Sequence, residues 1–163
     1  MKFTLTWQER RALCQLLRPY LKNSKVQQMN AYIQHGSVST LQHCKYVAEV
    51  SCWLNNRFHL GANQKALVIG ALLHDFYLYD WHVDENHEHP LHGFSHPEAA
   101  RKNAQHYFRI GKQTQDVIRC HMWPLTLTQI PTSRAAMIVC IADKYCSLYE
   151  TLFLRKRKER THA

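Results

Sequence analysis

The chain has 163 residues, a net charge of +9, 45% hydrophobic and 20% charged residues, and six cysteines. That balance suits one globular domain with one sizeable core, and no apolar run approaches the length of a membrane span. The cysteines form no Cys-x-x-Cys pair, which argues against a zinc ribbon or a thioredoxin-like redox site.

Helical signals dominate from the start. Thr6-Trp7-Gln8-Glu9 has capping-box spacing, and Ala12, Leu13, Leu16 and Leu17 follow at helical intervals until Pro19. A second, short helix is predicted from Ser24 to Ile33, and His35-Gly36-Ser37 reads as a turn. A long helix follows from Ser39 or Thr40 to about Phe58, ended by Gly61. Asn63 caps the next helix, an apolar run that ends in His74-Asp75. Residues 80–94 form the one long irregular stretch, and a loop of that length in a small domain is usually functional or disordered. Ser95-His96-Pro97-Glu98 is expected to start a helix to about Arg109. A shorter helix is expected over Thr114 to His121, broken by Trp123-Pro124. Pro131-Thr132-Ser133 introduces the last helix, which ends in a basic tail. No alternation strong enough for a sheet is present. The predicted fold is all-α, a compact helical bundle over residues 1–154 with a tail over 155–163.

A histidine and a carboxylate side by side in an apolar helix are costly to bury unless compensated. A divalent metal compensates both. His43, His96, His121 and Asp143 add four candidate ligands, each in a separate predicted helix. His43, His74, Asp75 and Asp143 suffice for one ion. His96 and His121 complete a second, with Asp75 as bridge. The two adjacent residues can both reach a metal only if the helix ends or distorts there. A nitrogen and oxygen donor set without thiolate favours manganese, iron, cobalt or nickel, with magnesium or zinc as alternatives.

The order His43, His74-Asp75, His96, His121, Asp143 resembles the HD-domain superfamily of metal-dependent phosphohydrolases. So does the local wording: His35-Gly36, Ala71-Leu72-Leu73-His74-Asp75, His96-Pro97-Glu98-Ala99-Ala100, Ile118-Arg119-Cys120-His121 and Ile141-Ala142-Asp143-Lys144. The resemblance covers about residues 35–150. It implies an all-helical fold and a core ligand set of His43, His74, Asp75 and Asp143. His96 and His121 are the added pair of dinuclear members. It implies hydrolysis of a small phosphate ester or nucleotide by metal-activated water. Many members carry a lysine after the His-Asp pair; here Phe76-Tyr77-Leu78-Tyr79 follows. The block His121-Met122-Trp123-Pro124 lacks the second histidine and the Gly-Tyr-Pro element of cyclic dinucleotide phosphodiesterases. A few relatives with the same ligand order use a di-iron centre to activate oxygen, which stands as the alternative chemistry.

Asp75 and Lys144 are the candidate catalytic residues. His92, Arg101, Arg119 and Lys144 are candidate phosphate contacts, with Lys102 as a further cation. Ordinary solvation is the competing reading for each, except that Lys144 could instead simply pair with an acid. Phe76, Tyr77, Tyr79 and Trp81 suit either core packing or stacking on a ring. The expected partner is a small anionic phosphate compound, which the basic balance would steer. The tail Arg155-Lys156-Arg157-Lys158-Glu159-Arg160 ends a helix favourably and also suits a nucleic-acid contact; the first reading is preferred because no aromatic residue interleaves it. A non-catalytic ligand- or nucleic-acid-binding module is the third alternative. No membrane association is expected. Met1-Lys2-Phe3-Thr4 does not resemble the start of a secretory signal, so a cytoplasmic location and small buried cysteines are expected.

Overall fold

The computed structural model describes residues 3–35, 37–80 and 92–154. Seven α-helices are present among them: α1 (Trp7–Leu21), α2 (Ser24–Gln28), α3 (Thr40–Arg57), α4 (Gln64–Leu73), α5 (His92–Phe108), α6 (Lys112–Cys120) and α7 (Arg134–Tyr149). A single helical turn follows α2 at Met29–Ala31, and a wider π-type turn follows α7 at Glu150–Leu154. The fold is all-α apart from a small hairpin, β1 (Ile33–His35) with β2 (Val38–Ser39).

The caps follow the chemistry of the sequence. Thr6 and Glu9 close a reciprocal capping box on α1, and Ser39 and Gln42 close another on α3. Asn63 and Ser133 cap α4 and α7 through their side-chain oxygens. Two expectations need correction. The second helix stops early, because Tyr32 turns extended and its carbonyl accepts from the Thr40 amide at 2.8 Å, which sets up the hairpin. The fifth helix begins at His92 rather than at Ser95. Glu98 does not reach back to box the helix start; its carboxylate takes Arg101 at 2.7 and 2.8 Å instead.

α4 is the centre of the bundle. Every residue from Ala66 to Leu73 is buried, so the helix is apolar all round, as a helix surrounded by others must be. α3 and α6 pack on it, and α7 closes against all three. Five of the six cysteines are buried small residues within these layers, and only Cys14 is exposed. No helix among the described residues is long and apolar enough to cross a membrane.

Gly70 lets α4 and α6 approach. A Cβ there would stand 2.5 and 2.6 Å from Val117 Cγ1 and Cβ, and a β-branched side chain cannot rotate its own Cβ away. Gly70→Ala should therefore destabilise the fold by about 1–3 kcal/mol through overpacking. Thermal melts of Gly70→Ala against wild type check this: an unchanged Tm would show that the two helices have room for the added methyl.

Candidate metal centre

The C-terminal ends of α4 and α6, the N-terminal parts of α3 and α5 and the middle of α7 converge on one buried cluster. α4 ends at Leu73, so His74 is its cap and Asp75 lies in the turn beyond. That break frees two adjacent residues from the 100° offset of helix geometry, and both face the same centre. His74 Nδ1 bonds the Ala71 carbonyl at 2.8 Å, which aims Nε2 inward. His121 repeats the arrangement at the end of α6, with Nδ1 bonding the Ile118 carbonyl at 2.7 Å.

The donors fall into two groups of three, His43, His74 and Asp143, and Asp75, His96 and His121. In the first, His43 Nε2 lies 3.0 Å and His74 Nε2 3.5 Å from Asp143 Oδ1. In the second, His96 Nε2 lies 2.8 Å from His121 Nε2, and the two sit 3.2 and 3.5 Å from Asp75 Oδ1. The other carboxylate oxygen of Asp75 lies 3.3 Å from His74 Nε2. Asp75 thus turns one oxygen to each group.

These separations fit a metal. Donors bonded to one ion at about 2.0–2.2 Å stand roughly 2.8–3.6 Å apart at right-angle to tetrahedral geometry. Two buried donors, His74 Nε2 and Asp75 Oδ1, find no hydrogen-bond partner, a costly state that an ion would relieve. Electrostatics agree. Burial opposes ionisation of Asp75 and Asp143, but the neighbouring histidines outweigh it and hold both carboxyls well below their usual range. Burial also opposes a charge on His43, yet Asp143 and Glu150 hold its pKa up at about 10. Burial, reinforced by His74 and His96, pushes His121 down to about 3, which leaves its lone pair available.

Two residues outside the six orient them. Glu150 is buried and its Oε2 lies 2.8 Å from His43 Nδ1, the nitrogen that faces away from Asp143. This is the carboxylate–histidine arrangement that fixes a ligand's tautomer and ring orientation. Gln34, on β1, donates to Asp75 Oδ2 at 2.7 Å, and its own carbonyl accepts from Tyr77 Oη at 2.6 Å and Thr40 Oγ1 at 3.2 Å. Sequence reasoning missed both. The seven-residue step from Asp143 to Glu150 is two helical turns, which puts both on one face and was the available signal. Glu150→Gln should weaken metal binding about 10–100-fold while the six ligands stay in place. Titration of the metal-free variant with manganese(II), read against wild type, checks this.

The cluster opens into a cavity of about 590 Å³ whose wall includes Gln34, Asp75, His96, His121, Asp143 and Lys144. Lys144 reaches it, but its ammonium is tied to the carbonyls of His121 at 2.9 Å and Cys140 at 3.4 Å. Arg101 and Arg119 are placed elsewhere. They line a separate hollow of about 580 Å³, where Arg101 pairs with Glu98 and Arg119 with Asp116. Lys102 is exposed. Phe76 and Tyr77 belong to the buried interior, and Tyr77 sets its ring edge-on to His96 at 5.8 Å. Trp81 and the other loop residues up to 91, the His92 side chain and the basic tail from residue 155 lie outside the described residues.

A family model described as the HD domain matches residues 40–148, a span that contains all six donors but neither Gln34 nor Glu150. No curated protein and no solved structure matches the chain. Helical fold, paired donor groups and family match coincide: the chain belongs to the HD-domain family, a superfamily of metal-dependent phosphohydrolases.

Proposed function

We propose that the protein hydrolyses a small phosphate ester or nucleotide at a centre of two divalent ions. His43, His74 and Asp143 would hold one ion, His96 and His121 the other, and Asp75 would bridge them. The observation that carries this reading is Asp75, whose two oxygens address two separate donor groups. Ions bound there supply the charge that acidifies a water and offsets negative charge on a phosphoryl group in the transition state. Manganese, iron, cobalt or nickel suits the nitrogen and oxygen donors best.

The chain's own residues supply the rest. Gln34 holds Asp75 in its bridging orientation, and Glu150 holds the His43 ring. Lys144 adds positive charge to the cavity wall while its ammonium fixes the backbone of His121, so its part is to position that ligand. The 590 Å³ volume is large enough for a molecule of nucleotide size. Arg101 and Arg119, held by their acids in a different hollow, have no part in this substrate contact.

The test is a panel of phosphate monoesters, diesters and nucleotides, assayed with protein loaded with manganese, iron or cobalt. Release of phosphate or nucleoside that depends on the metal supports the reading. Silence across the panel with metal demonstrably bound contradicts it. Oxygen consumption by iron-loaded protein without phosphate release would move the chemistry to the oxygenase branch of the fold.

A further inference from the structure

Cys44 follows His43 on α3 and is fully buried. Its sulfur, a His74 ring nitrogen and an Asp75 carboxylate oxygen all lie within 4.8 Å of one another, a third donor group beside the two already described. The face of α3 that carries Cys44 looks at this part of the centre. Thr40, one turn earlier, touches Tyr77 Oη and Gln34, and Gln34 donates to Asp75. The two orphaned polar atoms, His74 Nε2 and Asp75 Oδ1, belong to the same two residues.

We propose that Cys44, His74 and Asp75 form a soft-metal site that captures a single thiophilic ion, such as cadmium(II) or zinc(II), and so blocks loading of the two-ion centre. A thiolate prefers such ions over manganese or magnesium by more than nitrogen and oxygen donors alone do. Exclusion follows from shared donors. An ion on this group takes His74 from His43 and Asp143, and occupies one of the two Asp75 oxygens that the bridge needs. On binding, a sulfur–metal bond forms, the S–H bond breaks and the proton is released to water; no oxidant is involved. The inference rests on the metal-centre reading above.

The experiment titrates metal-free protein with cadmium(II) in a Cys14→Ser background, which removes the exposed thiol. The readouts are the ultraviolet thiolate-to-cadmium charge-transfer band and the ¹¹³Cd NMR shift. The expected result is one cadmium per chain, a thiolate band, a sulfur-type ¹¹³Cd shift, and loss of manganese(II) uptake from the cadmium-loaded protein. Cys44→Ser in that background should abolish the band and weaken cadmium binding at least about tenfold. Its uptake of manganese(II) shows that the remaining centre is intact. The ¹¹³Cd shift is read on protein that retains Cys44, so the outcome does not depend on how the variant folds. Cadmium bound with a purely nitrogen and oxygen shift, or together with two manganese ions, overturns the proposal and leaves the metal centre standing. Failure of both cadmium and manganese to bind overturns the metal centre itself.

Discussion

Asp75→Asn is expected to abolish activity more completely than any other single conservative change. The substitution keeps the shape of the side chain but replaces one of two anionic oxygens with a donor. It also removes the charge that His74, His96 and His121 all face. One donor group loses a member and the other loses the oxygen that would bridge to it, so manganese uptake should fall from two ions per chain to at most one, weakly held. Losing the metals' stabilisation of the transition state is worth several kcal/mol, or about a thousandfold in rate. Metal content and phosphate release, measured on the same preparation, check this. Circular dichroism confirms that the helices persist. A variant that keeps both ions and its rate would show that Asp75 does not bridge.

The second large effect concerns the residue after the pair. Many relatives carry a lysine just beyond His-Asp, and this chain has aromatics there. Phe76 is fully buried and packs against Tyr107 and Phe108 at ring distances of 5.8 and 5.9 Å. It is core, not part of the cavity wall. Phe76→Ala should cost about 3–5 kcal/mol, and so lower Tm by roughly 6–20 °C for a chain of this length. Phe76→Lys, which would restore the common residue type, should be worse, because it buries an unpaired ammonium. Soluble yield and thermal melts report both. A Phe76→Lys variant as stable as wild type would mean that the side chain can reach the cavity after all.

These two neighbours show what could be read in advance. The six candidate donors were legible because they fall in five separate helical segments, and because the order of those blocks is distinctive. The bundle was legible from the caps at Thr6, Ser39, Asn63 and Ser133. The hairpin was not: Ile33–His35 is too short for a period of two to register, and its pairing depends on the Tyr32 carbonyl meeting Thr40. Gln34 went unseen with it. Glu150 was not singled out in the sequence; the structure shows it buried and bonded to His43. Arg101 and Arg119 could not be placed in advance for the converse reason. Charge is visible in a sequence, but the acid that engages it three residues away on the same helix is not weighed until the face is known.

Spin resonance of anaerobically prepared, manganese(II)-loaded protein, with the bound metal counted, tests the central claim most directly. Two ions per chain with an exchange-coupled spectrum, both features disappearing in Asp75→Asn, is the predicted result. One magnetically isolated ion per chain, or none, would contradict a centre bridged by Asp75.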